Sequence, residues 1–311
     1  MGNDYLYSRM LDRRGVPALR PTVIGQKLAM RNLLWLASFP KSGNTWVRMF
    51  VAAYLSGCQK FDFALTQQFS RSESLLDHYA AVCNKSREEL CENDIENNRL
   101  QVQERLARVE RRGVIKTHNA RLTPQRRRLI FSRYTRAAIY VVRNPLDIVD
   151  SMADHTNRSI AATVALMNNP EHRLGATATL ARQYLGTWSH HVVSWTRNQD
   201  EFPVFMIRYE DLHALPVQKF GRLVEWLGWP LDAKQLQRAI KLTSFSRLQC
   251  LEAETGFSET SPVARSGRFF RRGKPGSWRD VLSRQQAEQL IEHHATAMQI
   301  VGYELPNLNG M

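Results

Sequence analysis

Four short apolar runs punctuate the chain: Leu33 to Ser38, Val114 to Thr117, Ala137 to Val142, and Val204 to Ile207 entered through Pro203. Between them lie longer stretches in which apolar positions return at helical spacing. The clearest run from Thr45 to Leu55 with Gly57 as a stop, from Pro145 to about Ala153, from Pro216 to Leu227 with Gly228 as a stop, and from Arg284 to Ile300 ahead of Gly302. Proline at the first helical position and glycine just past the last are what helix termini favour. Strands buried on both faces and alternating with helices predict an α/β fold, a three-layer parallel sheet flanked by helices. In such sheets ligands bind beyond the carboxyl ends of the strands, where this chain places its polar clusters.

Between residues 59 and 112 the composition turns polar and the helical periodicity is patchy, which predicts an excursion from the sheet. Asp154 to Gly175 and Glu252 to Pro275 have loop composition, and long loops at the ligand end of a sheet commonly form pockets and lids. A length of 311 residues suits one domain, 1–311, with a large core.

Lys and Arg number 43 against 29 acidic residues, a formal charge of +14, so an anionic partner is expected. Arg105, Arg108, Arg111 and Arg112, then Arg126, Arg127 and Arg128, fit either solvated helix faces or a nucleic-acid footprint. The aromatic and basic alternation of RNA-binding modules and the spacing of zinc fingers are both missing, which argues against nucleic acid. Four cysteines, Cys58, Cys83, Cys91 and Cys250, show neither metal nor disulfide-scaffold spacing and fit a reducing compartment. The doublets His190-His191 and His293-His294 lack the offset that two ligands on one helix need, so they read as surface or packing residues. The first residues carry Arg13, Arg14 and Arg20 without an apolar stretch long enough for a signal peptide or membrane span, which predicts a soluble, cytoplasmic protein.

The candidate chemistry sits at the ends of the apolar runs. Phe39-Pro-Lys-Ser-Gly-Asn-Thr-Trp46 joins a strand to a helix start, which presents free backbone N–H groups and partial positive charge to an anion. Lys41 adds a full charge, Gly43 lets the main chain approach, and Ser42 and Thr45 supply hydroxyls. The ordinary nucleotide-triphosphatase loop needs Gly-Lys-Ser/Thr, whereas here the lysine precedes the glycine. On these residues alone a basic turn capping a helix remains an alternative. Arg143 closes a strand, and Ser151 lies roughly 9 Å up the next helix at about 1.5 Å per residue, both within reach of one phosphate. Val114-Ile-Lys116-Thr-His118 brings a lysine and a histidine to another strand end, and histidine is the side chain best suited to take a proton near neutral pH.

These strings resemble the sulfotransferases that use 3′-phosphoadenosine 5′-phosphosulfate (PAPS). Their 5′-phosphosulfate loop reads Pro-Lys-Ser-Gly-Thr-Thr-Trp, and Asn44 here replaces a threonine. Arg143 and Ser151 match the family's 3′-phosphate pair, and Lys116-Thr-His118 is similar to the segment holding the general base. Lys241-Leu-Thr243-Ser-Phe245 resembles an adenine-contacting segment and Tyr209-Glu-Asp a nucleoside-contacting one. Phe270-Arg-Arg-Gly-Lys-Pro-Gly-Ser-Trp278 resembles the motif Arg-Lys-Gly-x-x-Gly-Asp-Trp, with Arg272 for lysine and Ser277 for aspartate. The five pieces run in family order between residues 33 and 288.

The resemblance implies transfer of a sulfuryl group from PAPS to a small-molecule or glycan hydroxyl, leaving 3′-phosphoadenosine 5′-phosphate (PAP), without a metal. His118 would be the base, Lys116 would stabilise the sulfuryl oxygens, and Lys41 the leaving phosphate. Lys41, Ser42, Gly43, Asn44, Thr45 and Trp46, with Arg143, Ser151, Tyr209, Thr243, Phe245, Arg271, Arg272 and Gly273, would bind the donor, its adenine between Trp46 and Phe245. Residues 61–79 and 152–173 are expected to line the acceptor pocket, with Phe61, Phe63 and Phe69 favouring an apolar body. The family's dimerisation segment aligns only in part, at Arg279, Ser283, Arg284 and Glu288, which leaves a homodimer open. The absence of an amino-terminal anchor points to the family's soluble branch. The rival classes are an ATP-dependent small-molecule kinase and a non-catalytic anion- or nucleic-acid-binding protein.

Overall fold

Strand β1 (Leu33–Ser38) is buried along its whole length, and its side chains divide between two cores. Successive residues of a strand point to opposite faces, so Leu33, Trp35 and Ala37 enter one hydrophobic cluster and Leu34 and Leu36 the other. In β4 (Thr135–Val142), Ala138, Tyr140 and Val142 join the first cluster, and Ala137, Ile139 and Val141 the second. The computed structural model describes residues 31–109, 113–197 and 201–309; Arg13, Arg14, Arg20, Arg111 and Arg112 lie outside them.

After β1 come α1 (Asn44–Ser56), α2 (Phe63–Phe69), β2 (Ser70–Ser72), α3 (Leu76–Cys83), α4 (Glu92–Val109) and β3 (Val114–Thr117). Beyond β4 follow α5 (Pro145–Thr156), α6 (Ile160–Met167), the short antiparallel pair β5 (Arg173–Leu174) and β6 (Gln183–Tyr184), and α7 (Trp188–Thr196). The chain ends with β7 (Val204–Arg208), α8 (Tyr209–Ala214), α9 (Pro216–Trp226), α10 (Ala233–Leu242), α11 (Phe245–Thr255) and α12 (Arg284–Ile300). The main sheet has five parallel strands in the order β2-β3-β1-β4-β7. Residues of α4, α5, α7 and α12 cover one face, and residues of α1, α9, α10 and α11 the other. All five strands therefore end at one edge.

The segment 59–112 contains more order than its composition suggests. Its β2 pairs with β3, Ser70 opposite Val114, and so forms the sheet's edge. Helix α4 buries Ile95, Arg99, Val102, Gln103 and Leu106, a single face in which two members are polar, and this breaks the apolar periodicity that would reveal it. Its first turn carries Glu92 and Asp94 and its last turn Arg108, charges that complement the helix dipole. Residues 154–175, read from sequence as loop, hold the end of α5 and all of α6. His191 and His294 are buried, His190 is half-buried and His293 exposed. Several of the basic clusters are neutralised locally: Arg108 pairs with Glu104 at 2.6 Å, Arg127 with Glu96 at 2.5 Å and Arg128 with Glu201 at 2.6 Å. Within α12, Arg284 pairs with Glu288 at 2.8 Å. Among the described residues no helix is long and apolar enough to cross a membrane.

Leu36 sits fully buried at the centre of the sheet, so Leu36→Ala is expected to cost about 2–5 kcal/mol. Urea unfolding should show a lower midpoint with an unchanged slope, whereas Leu231→Ala, 47% exposed, should stay within about 0.5 kcal/mol of the parent.

Candidate active site

The turn between β1 and α1 is held open by two unusual backbone conformations, Lys41 at φ 65° and Gly43 at φ 103°. A Cβ on Gly43 would stand 2.6 Å from the Tyr209 ring, so glycine is required there twice over. Gly43 caps α1 without any side chain bonding the first helical N–H groups, which leaves them for an anion. The Ser42 hydroxyl is buried and has no hydrogen-bond partner among the described residues. Asn44 turns back onto the sheet: its Nδ2 donates to the Leu36 carbonyl at 3.1 Å, and its Oδ1 is left unpaired among the described residues.

Arg143, one residue past β4, ties this turn to the carboxy-terminal loop. Its Nη1 donates to the Lys41 carbonyl at 3.3 Å and its Nη2 to the Lys274 carbonyl at 3.5 Å, while the guanidinium lies 4.4 Å from the centre of the Tyr209 ring. Its Nε has no partner among the described residues. The Tyr209 hydroxyl donates to the Gly273 carbonyl at 3.0 Å, and burial pushes its pKa up to about 12. Gly273, at φ 64°, leaves no room for a Cβ, which would come within 2.3 Å of the Phe245 ring. The motifs around Lys41, Arg143, Tyr209, Phe245 and Gly273 are thus in contact.

Helix α5 anchors the same loop from below. The Asp147 carboxylate accepts from the Gly276 N–H at 2.7 Å and the Trp278 N–H at 3.1 Å. Arg271 and Arg272 both reach Asp150, the latter at 3.4 Å, and the half-buried Ser151 is the next residue of α5. The Thr243 hydroxyl donates to the Ala239 carbonyl at 2.8 Å inside α10. Trp46 packs on Tyr209, His213 and Phe220 at 4.9–5.9 Å between ring centres, and Phe245 on Phe270 at 6.0 Å, so Trp46 and Phe245 do not stack on one another.

At the end of β3 the tautomer of His118 is fixed. Its Nδ1 lies 2.8 Å from the Ser38 carbonyl, which only accepts, so Nδ1 carries the proton and Nε2 the lone pair. The His118 N–H donates to Gln183 Oε1 at 2.9 Å. Its carbonyl accepts from His191 Nε2 at 3.1 Å, and His191 Nδ1 in turn accepts from the Tyr140 hydroxyl at 2.9 Å. Burial, aided by the nearby Lys116 charge, lowers the His118 pKa to about 3, so the imidazole is neutral across the physiological range.

Two charged residues escape the motif reading. Glu259, from the irregular stretch after α11, accepts from Thr45 Oγ1 at 3.2 Å and Lys116 Nζ at 3.4 Å, and it pairs with Arg48. Burial would raise its carboxyl pKa, yet Lys116 and Arg48 hold it well below the usual range. Burial also pushes the Lys41 ammonium down to about 8, and lowers Lys116 as well, in spite of Glu259. Lys41 Nζ lies 3.9 Å from the centre of the Phe269 ring. Arg48 had a signal in the sequence, since it is the only charged residue of α1; nothing sets Glu259 apart from its acidic neighbours.

The unpaired Ser42 hydroxyl, the unpaired nitrogens of Arg48 and Arg143, and the glycine turn are donors suited to phosphate or sulfate oxygens; of these residues Glu259 binds only Arg48, together with Thr45 and Lys116. A separate cavity of about 740 Å³ is lined by Leu76, Ile95, Arg173 and Tyr184 among others. It touches the segments expected to bind the acceptor only at Leu76 and Arg173, and Gln183, which reaches His118, is not part of its wall. Phe61 and Phe63 pack elsewhere, Phe63 against Phe257 at 4.5 Å and Phe270 at 6.1 Å.

Flavonol 3-sulfotransferase of Flaveria bidentis is 24% identical over 271 residues, covering 83% of this chain and 79% of its own. Among solved structures, mouse sulfotransferase SULT7A1 complexed with PAP aligns with a TM-score of 0.55 at 19% identity, over 88% of this chain and 90% of its own. Retinol dehydratase in complex with androsterone and PAP aligns with a TM-score of 0.57 at 17% identity, over 96% and 90%. At that identity these two structures speak to the fold. A family model of the sulfotransferase domain matches residues 31–302, which take in every strand and helix from β1 to α12, and the chain therefore belongs to the sulfotransferase family.

Proposed function

We propose that this sulfotransferase uses PAPS as its donor and sulfates a hydroxyl of a small-molecule acceptor, with His118 as the general base. The observation that carries the reading is the state of His118: its one ring proton is committed to the Ser38 carbonyl, its Nε2 is unprotonated, and Lys116 shares its strand end. When bound, the donor supplies an activated sulfuryl group on a phosphate leaving group.

The remaining roles fall to this chain's own groups. Lys41, the Ser42 hydroxyl and the free N–H groups at the start of α1 hold the 5′ anion. Arg143 and Ser151, with Arg271 and Arg272 oriented by Asp150, hold the 3′-phosphate. Trp46, Tyr209, Thr243 and Phe245 flank the nucleoside. The neutral imidazole takes the proton of the acceptor hydroxyl, and negative charge gathered at Lys41 and Lys116 favours the imidazolium so formed. The two ammonium groups stand ready where charge develops, so no reorganisation is needed during transfer. The aromatic wall of Phe63, Phe257, Phe269 and Phe270, in contact with Lys41 through Phe269, suits an acceptor with an apolar body. The flavonol named for the plant relative and the androsterone bound to retinol dehydratase are acceptor-sized apolar molecules of that kind.

Thermal unfolding should rise clearly with PAP and much less with ATP, which lacks the 3′-phosphate, or with a DNA oligomer; equal shifts for PAP and ATP would count against the donor. His118→Ala should lower turnover by at least about 100-fold and leave PAP affinity within about twofold, and unchanged turnover would remove the base assignment. Because the Lys41 ammonium ordinarily loses its proton near pH 10.5 and here does so near 8, its attraction for the 5′ anion is present below pH 8 and lost above it. Calorimetric titration should therefore show PAP binding weaken between pH 7.5 and about 9, and Lys41→Arg should move that limb to higher pH.

A further inference from the structure

Arg48, one turn beyond Thr45, is the only charged residue of helix α1. The residue is 6% exposed, its guanidinium pairs with Glu259, and its Nε has no partner among the described residues. A guanidinium buried to that extent needs acceptors for all its nitrogens, and one carboxylate leaves it short. Glu259 arrives from outside the sheet and binds Thr45 and Lys116 along with Arg48. Two of those three groups belong to the segments assigned to the donor's anionic end. A carboxylate and a phosphosulfate cannot both sit at contact distance on the same donors, since like charges so close repel strongly.

We propose that Arg48 is a donor-binding cation and that Glu259 is an internal anion competing with the donor for Thr45, Arg48 and Lys116, so that the loop bearing Glu259 must withdraw it for the donor to enter. Lys41, Arg48 and Lys116 bring three positive charges and Glu259 one negative, so replacing the carboxylate by a doubly charged phosphosulfate improves the balance. The Lys41 pKa is lowered first by burial; Glu259 and Asp154 oppose the shift, and the charges of Arg143 and Lys116 add to it. The loop bearing Glu259 also joins this cluster to the aromatic wall. Gly256 at φ 69° and Gly267 at φ 63° bracket it, and Phe257 packs on Phe269, the ring beneath Lys41. Withdrawal of Glu259 therefore rearranges the same wall that lines the acceptor side. Donor entry and the shape of the acceptor site become coupled.

The inference rests on the PAPS reading, and calorimetric titration with PAP separates the two. Against the parent protein, Glu259→Gln should bind PAP about tenfold more tightly, because the competitor's charge is gone while its shape remains. Arg48→Met should bind PAP about tenfold more weakly, because a cation of the donor site is lost. If the pair only tethers the loop, both variants shift affinity in the same direction, and that result overturns the proposal, as does unchanged or weaker binding by Glu259→Gln. Glu259→Asp, too short to span all its partners, gives a second measure and should fall between parent and Glu259→Gln; binding no tighter than the parent counts against competition. Absence of PAP binding by every protein overturns the donor assignment and the competition with it.

Discussion

Positive charge taken out of water at the carboxyl edge of a parallel sheet is the constraint around which this molecule is arranged. Lys41, Arg48, Lys116 and Arg143 meet there beside the start of α1, whose unpaired N–H groups add partial charge of the same sign. Each cation meets the desolvation cost differently. Arg143 meets two backbone carbonyls and the face of Tyr209 with its Nε left over, and Lys41 lies against the ring of Phe269. Arg48 and Lys116 share Glu259. Backbone carbonyls and aromatic faces soften a charge without cancelling it. The edge consequently keeps a net demand for anion, which is the property a sulfate-transferring site requires.

Main-chain placement explains why so few side chains suffice. In the sheet, Ala37 stands opposite Thr117, so the next residues along, Ser38 and His118, arrive together at the edge. The tautomer of the histidine is thereby a consequence of strand register: a shift of one residue would present a different carbonyl and a different lone pair. On the other side of the cleft, Gly43 and Gly273 each bring backbone against a ring, Tyr209 in one case and Phe245 in the other. Because the Tyr209 hydroxyl also bonds the Gly273 carbonyl, the two loops are gauged against a common tyrosine.

The parts legible in sequence are those whose local chemistry agrees with their tertiary role. Leu33 to Ser38 and Ala137 to Val142 read as strands because both faces are covered and no polar residue interrupts them. Gly57, Gly228 and Gly302 read as stops because a left-handed terminus favours glycine. Strand β2 was hidden, since Ser70, Arg71 and Ser72 lack strand composition and join the sheet only because β3 offers them an edge. Helix α4 was hidden by the buried Arg99 and Gln103, which find partners in Glu73 and in the main chain at Leu129 and Phe131. Within the site, Lys41, Arg143 and His118 announce themselves by type and position, while Asn44 does not disclose that it bonds back to Leu36. The meeting of Glu259 with Thr45, 214 residues away, has no local trace at all.

Two carboxylates near the edge show how one side-chain chemistry serves opposite ends. Glu73 is fully buried, and its oxygens accept from Ser74 and Thr117 at 3.0 Å, from Tyr79 and Arg99 at 3.4 Å, and from Asn119. Apart from the adjacent Ser74, those donors belong to α3, α4 and the β3 end, so Glu73 cannot leave without stranding five polar groups at once. It fixes the strand that carries Lys116 and His118. Glu259 has a side chain 29% exposed and lies on no regular element, while its partners Thr45, Arg48 and Lys116 stay on α1 and β3 whether or not it is there. Its departure strands two cations and one hydroxyl, and a ligand with more oxygens and more charge than a carboxylate can satisfy all three. Rigidity beneath the histidine and a looser hold above the lysines thus follow from where each glutamate's own backbone is anchored, and the proposed chemistry, with a fixed base and an admitted anion, calls for both.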